Sequence, residues 1–269
     1  MGETPSGTKL PSLHRTGTGP ALLLLHAFPQ DASMWDQQVA ALSGRYSCLR
    51  PDAFGCGSSP PPPAGLTLQG WAAAVLDVLD EADVDRVAIV GASMGGYLAF
   101  ALLRKAPQRF LGLCLLGSRA RADSDTARAD RAALVTHLRD DGPAAIEQLV
   151  ENQPSKLLSK GGTGEFHISD PVRGRIRRCT PAGLATLSQI LAERPDSTPT
   201  LATIAIPTLV VAGSEDGLVP VEEAQAMASG IPRARFEVME GSGHLVSLER
   251  AQAVNKLMAE WLDDVRWDA

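Results

Sequence analysis

Three side chains have the types needed for covalent attack on a carbonyl. Ser93 stands at the centre of Gly91-Ala92-Ser93-Met94-Gly95, inside the run AIVGASMGGYLAF. A serine hydroxyl is a weak nucleophile until a base takes its proton. The candidate base is His244, in the small-residue loop of MEGSGHLVSLE. Such a base needs a carboxylate to orient it, and Asp216 in VVAGSEDGLVP stands where the preceding apolar run ends. Glu215 beside it has the same chemistry, and the alternative acid after LCLLGS is Asp123. Asp216 is preferred because a buried strand delivers it beside the loop that carries His244.

Attack on a carbonyl places negative charge on oxygen, which calls for preorganised N–H donors. The amide of Met94, the residue after the nucleophile, supplies one. The loop LLHAFPQD supplies the other; Pro29 has no N–H, so the Phe28 amide is the candidate. His26 in the same loop reads as a hydrogen-bonding brace. His14 lies in a polar N-terminal segment, His137 in a helical charge pattern, and His167 in a glycine-rich loop. Acyl transfer by this constellation needs no metal ion and no organic cofactor.

The elements that must position these residues alternate. ALLLLHAF, YSCLRPD, DRVAIVG, LGLCLLGS, IPTLVVAG and ARFEVME read as strands. ASMWDQQVAALSG, LQGWAAAVLDVLDEADV, MGGYLAFALLRK, VEEAQAMASG and VSLERAQAVNKLMAEWLDDV read as helices. Strands alternating with helices predict a mainly parallel sheet covered on both faces, an α/β fold. In such a fold the glycines beside Ser93 mark a strand-to-helix turn so sharp that the serine takes strained backbone angles and its hydroxyl stands clear of the sheet.

The alternation breaks between residues 118 and 203, a charged helical stretch interrupted by SKGGTGEFHISDP. The predicted organisation is a core domain, 1–117 with 204–269, and a helical cap insertion, 118–203. Phe166 is the only aromatic residue of that insertion. Its pocket wall is therefore expected to be aliphatic, from Leu134, Leu138, Ile146, Leu149 and Leu157. Arg173, Arg175, Arg177 and Arg178 cluster in PVRGRIRRCTPAG. They read as a solvated helix face, with steering of a carboxylate-bearing substrate as the sharper alternative.

Composition sets the outer limits. A formal charge of −6 argues against a nucleic-acid partner. No apolar run reaches the length needed to cross a bilayer, so no membrane is expected. The N-terminal stretch has no apolar core and reads as free of a signal peptide. Cys48, Cys56, Cys114 and Cys179 show no metal spacing and fit reduced thiols in a cytoplasmic protein. The partner is then a small molecule, and the oligomeric state is left open.

From LLLLHAFP to SGHLVSLE the chain resembles the α/β-hydrolase superfamily, and within it small bacterial esterases and lactonases of the 3-oxoadipate enol-lactonase type. LRPDAFGCGSS is similar to their loop after the second motif strand, and RPDSTPTLATIAIPTLVVAG to their return from the cap. Ala27 departs from the glycine usual in their H-G-x-P loop. The resemblance implies the α/β-hydrolase fold, with Ser93 as nucleophile, Asp216 as acid, His244 as base, and Phe28 and Met94 as oxyanion donors. It implies a serine hydrolase that cleaves a carboxylic ester or lactone through an acyl-serine. Acyl transfer to peroxide, carbon–carbon bond hydrolysis and a hydrolase-like ligand receptor are the competing readings.

Overall fold

The computed structural model describes residues 9–161 and 168–268. Seven strands form one sheet: β1 Leu13–Thr16, β2 Ala21–Leu25, β3 Ser47–Pro51, β4 Val87–Ala92, β5 Phe110–Leu116, β6 Thr208–Gly213 and β7 Ala234–Met239. Their order is β1-β3-β2-β4-β5-β6-β7. β1 pairs antiparallel with β3, and every other pair is parallel. The polar N-terminal segment thus contributes an edge strand that its sequence does not announce. Burial in β1 decreases outward from Leu13, so no alternating pattern marks it.

Between the parallel strands run α1 Asp36–Leu42, α2 Leu68–Glu81 and α3 Met94–Lys105. Every residue of β4, β5 and β6 is buried, which is why these strands read as unbroken apolar runs. Thr67 starts α2 by accepting a hydrogen bond from the Gly70 amide, the usual service of an N-cap threonine. The chain leaves β2 toward β3 on one side and then crosses back to β4 on the other. A crevice opens at that reversal, outside the carboxyl ends of the strands, where open α/β sheets hold ligands.

The inserted helical region follows β5. It contains α4 Asp125–Asp140, α5 Pro143–Asn152, α6 Pro154–Leu157, α7 Ser169–Arg177, α8 Pro181–Glu193 and α9 Thr198–Leu201. Three helices complete the core after β6: α10 Val221–Ser229, α11 Val246–Glu249 and α12 Ala251–Asp263. Among the described residues, no helix is long and apolar enough to cross a membrane.

The insertion is fastened to the core along two seams. On one, the Thr180 amide donates to the Gly55 carbonyl at 2.7 Å, and Arg178 grips the Asp31 carboxylate at 2.7 and 3.1 Å. Burial alone would raise the Asp31 carboxyl, yet hydrogen bonds from Arg178 and Ser33 hold it below its usual range. Arg175 donates to the Ser33 hydroxyl and carbonyl. Cys56 and Cys179 form a disulfide across the same seam. The expectation of four reduced thiols is corrected here, and the thiols no longer argue for a cytoplasmic setting, since disulfides persist in oxidising compartments. The two cysteines lie 123 residues apart, and only the docking of the insertion brings them together. Cys48 and Cys114 remain free and buried; burial pushes the Cys48 thiol up to about 11 and that of Cys114 higher still.

The second seam joins the insertion to the loop that carries His244. The Leu245 amide donates to the Leu157 carbonyl at 3.1 Å. Glu249, buried in α11, accepts from the Gly243 amide through Oε1 and from the Ser159 amide and hydroxyl through Oε2.

Candidate active site

Ser93 is the single residue between β4 and α3. Its φ of 47° and ψ of −108° lie in a region that a residue with a Cβ rarely occupies, at a cost of about 1–3 kcal/mol. The turn is over-determined. The Ser93 amide donates to the Leu116 carbonyl at 2.9 Å, and the Ser93 carbonyl accepts from the Gly96 amide at 2.9 Å and from the Ser118 hydroxyl at 3.1 Å. A Cβ at Gly91 would come within 2.6 Å of the Gly95 and Gly96 backbone, and one at Gly95 would overlap the Leu25 carbonyl. The two glycines are therefore needed for the close approach of α3 to β2 and β4, and the strain falls on the serine between them.

His244 and Asp216 sit in the loops after β7 and β6. The ring Nδ1 lies 2.8 Å from Asp216 Oδ2, with both side chains shielded from solvent. Asp216 Oδ1 accepts from the Leu218 and Val219 amides at 2.8 and 3.0 Å. With the carboxylate acting as acceptor, the imidazole hydrogen resides on Nδ1 and the lone pair on Nε2. The two loops are tied to each other by the Glu215 amide, which donates to the Ser242 carbonyl at 2.8 Å. Glu215 itself turns away, its Oε2 accepting from the Lys160 amide. Asp123 lies instead among arginines.

Ser93, His244 and Phe28 line one cavity of about 850 Å³, within the range of small-molecule sites. Met94 opens α3 directly behind the serine. Neither the Phe28 nor the Met94 amide is used in the backbone hydrogen bonds of the described residues. His26 is the brace that its loop position suggests. Its Nε2 accepts from the Ala53 amide at 2.8 Å, so Nδ1 carries the hydrogen and donates to the Ala27 carbonyl at 2.9 Å. Burial lowers its pKa, and both ring nitrogens are occupied. His14 pairs with Asp52. His137 reaches the cavity lining but is held by Asp141 and Gln148. His167 and Phe166 fall outside the described residues.

The rest of the lining differs from the aliphatic wall expected. Leu134, Leu149 and Leu157 line the cavity, joined by Leu191. Leu138 and Ile146 are buried but absent from the lining. Charged residues take their place: Arg119, Arg121, Asp123, Asp130, Arg131, Lys156 and Glu223. None of the four arginines from 173 to 178 reaches the cavity. Arg175 and Arg178 dock the insertion, while Arg173 and Arg177 pair with Asp170 and Glu147. Glu249 and Ser118, which hold the histidine loop and the serine turn, are supporting residues that the sequence reading missed. The position of Glu249, five residues past His244 and at the end of an apolar stretch, is the one local hint of its role.

Comparison with known proteins places this geometry in context. A family model described as the alpha/beta hydrolase fold matches residues 20–251. The chain is 28% identical to 3-oxoadipate enol-lactonase 2 of Acinetobacter baylyi over 237 residues, covering 88% of this chain and 86% of that one. It superposes with a TM-score of 0.89 and 33% identity on a thermophilic esterase from Thermogutta terrifontis solved with malate bound, covering 97% of this chain and 95% of that one. The enol-lactonase of Burkholderia xenovorans LB400 shares the fold at a TM-score of 0.85 and 24% identity, over 94% and 96% of the two chains. A seven-stranded, mostly parallel sheet, a strained serine turn after β4 and a match spanning most of the chain make this protein a member of the α/β-hydrolase fold family.

Proposed function

We propose that the protein is a serine hydrolase that cleaves a carboxylic ester or lactone through an acyl-serine intermediate. One observation carries the reading: a buried His244–Asp216 pair opens on the same cavity as a serine held in a strained turn. Ser93 Oγ attacks the carbonyl carbon while His244 Nε2 takes its proton. Asp216 fixes the ring tautomer and stabilises the imidazolium that forms. The Phe28 and Met94 amides receive the developing oxyanion, each worth about 3–4 kcal/mol at the transition state. The imidazolium then protonates the leaving alkoxide, which for a lactone stays attached to the acyl chain. Water, deprotonated by His244, attacks the acyl-serine and regenerates the enzyme.

The Thermogutta esterase, at 33% identity over nearly the whole chain, supports ester hydrolysis, and the Acinetobacter enol-lactonase supports extension to lactones. The chemistry assigned to these residues runs without a metal, so treatment with EDTA is expected to leave turnover intact. The deciding experiment is Ser93→Ala, assayed on short-chain p-nitrophenyl esters. We expect a folded protein whose kcat falls by several orders of magnitude, leaving the roughly thousandfold assistance of oxyanion hole and binding. Turnover near the wild-type rate would remove Ser93 from the mechanism.

A further inference from the structure

Part of the cavity wall is an ionic cluster that the reaction above does not use. The Asp123 carboxylate, fully out of solvent, accepts from three guanidinium groups: Arg194 at 2.7 Å, Arg131 at 2.5 Å and Arg119 at 3.1 Å. Burial works to raise the Asp123 carboxyl, but Arg194 and Arg131 bring it down to about 2. Arg194 is spent on structure. It is buried, lies 4.1 Å over the Tyr97 ring, and donates to the Leu191 and Arg121 carbonyls.

Arg119 and Arg131 differ from Arg194 in that both line the cavity with Ser93 and His244. Arg131 spends only its Nε on Asp123; its two terminal nitrogens have no protein acceptor among the described residues. Arg119 meets Glu223 through a long 3.4 Å contact, and its buried Nε has no partner. Within the ion-paired cluster three guanidinium groups face the carboxylates of Asp123 and Glu223, and the cavity lining as a whole, with Arg119, Arg121, Arg131 and Lys156 against Asp123, Asp130 and Glu223, is likewise positive by one. Arg119 also follows Ser118 directly, and the Ser118 hydroxyl is bonded to the Ser93 carbonyl. The excess charge is thereby built into the chain segment that braces the nucleophile.

The geometry points to an anion subsite formed by Arg119 and Arg131, and therefore to a substrate that carries a carboxylate besides the ester or lactone group to be cleaved. The inference rests on the serine-hydrolase reading. A carboxylate is the fitting anion because its single charge matches the single excess, and guanidinium forks receive planar carboxylates in paired hydrogen bonds. Asp123 takes only one nitrogen from each of these guanidinium groups, Nη2 of Arg119 and Nε of Arg131. Half-esters of short dicarboxylic acids and lactones bearing a carboxylate side arm are the substrate class.

The test compares monomethyl glutarate with methyl pentanoate, which has the same acyl length without the charge, by proton release at constant pH. At low ionic strength, wild-type kcat/KM is expected to favour the half-ester at least tenfold, and 0.5 M salt to compress that preference. Arg131→Gln should lower the half-ester to neutral-ester ratio at least fivefold, chiefly through KM, and Arg131→Lys should restore part of it. A merely structural arginine would change both substrates together and leave the ratio alone. If the wild type cleaves methyl pentanoate but shows no preference for the half-esters of succinate, glutarate or adipate, the subsite is refuted while the hydrolase reading stands. Failure to cleave any ester, charged or neutral, would overturn both. Should Arg131→Gln not fold, inhibition of the wild type decides the matter: glutarate is expected to compete at least tenfold more tightly than butanoate, and equal inhibition refutes the subsite.

Discussion

The turn around Ser93 and the cluster around Asp123 face the same cavity and are built from opposite materials. The turn is made of backbone: two glycines without room for a Cβ, a strained serine, and main-chain hydrogen bonds to neighbouring strands. The cluster is made of long charged side chains that reach one another across the insertion, Arg131 from α4 and Arg194 from just beyond α8. A backbone device on central buried strands holds the Ser93 Cα with little freedom. A side-chain device on an inserted region can be rewritten by a few substitutions without disturbing that atom. The division suits an enzyme fold in which the chemistry is held constant and recognition varies.

Breaking the first half of the comparison should have the largest effect. Asp216→Asn keeps the shape of the loop but leaves His244 in the wrong tautomer, and kcat is expected to fall by about four orders of magnitude. Steady-state kinetics on a short ester, with circular dichroism to establish folding, measures this. If the loss were only a few-fold, Asp216 would not be the orienting acid.

Breaking the second half should act on stability before it acts on rate. Asp123→Asn leaves three arginines around a neutral amide and is expected to cost about 3–5 kcal/mol in urea unfolding, the usual penalty for breaking a buried ion pair. The sign of the pH effect follows from the depressed carboxyl. Its stabilising contribution is complete above the unfolded value of about 4 and is lost as pH falls through about 2. The wild type should therefore weaken relative to the variant across that window, and parallel stability curves would contradict the assignment.

The seam between the insertion and the core gives a smaller effect. The Cys56–Cys179 disulfide closes a long loop, and replacing both cysteines with alanine should cost about 2–4 kcal/mol. Under denaturing, non-reducing conditions two of the four cysteines should react with a thiol reagent; four reactive thiols would mean the bridge does not form. The smallest expected change is in acyl preference. Leu134, Leu149, Leu157 and Leu191 line the cavity, and each buried methylene is worth about 0.8 kcal/mol. Within neutral esters, butanoate and hexanoate should outrun benzoate by a few-fold. A tenfold advantage for aryl acids would shift acyl recognition to Phe28 and Tyr97.

Much of the first half was legible in the order of residues. A glycine on each side of a serine, between an apolar strand and a helix, has few geometric solutions, and all place the hydroxyl at the sheet edge. The order Ser93, Asp216, His244 follows from strands that run parallel and end at one edge, so that loops far apart in sequence meet there. β1 escaped because its pattern of burial has no period. The aliphatic wall was misassigned in part because helical spacing identifies an apolar face without saying what that face meets: Leu134 and Leu149 line the cavity, while Leu138 and Ile146 are buried away from it.

The second half depended on tertiary structure for a different reason. Asp123 lies 71 residues from Arg194 in the chain, Cys56 lies 123 residues from Cys179, and Glu249 lies 90 from Ser159. No local period or motif couples such positions, because their partnership is created by how the insertion docks and not by how any one segment folds. Sequence alone thus determined the strand–turn–helix that carries Ser93, since steric exclusion at a tight turn acts between near neighbours. Only the tertiary structure decided which arginines face the cavity and which fasten the insertion, since a guanidinium at the end of a long, flexible side chain takes its role from whichever carboxylate packing brings within reach.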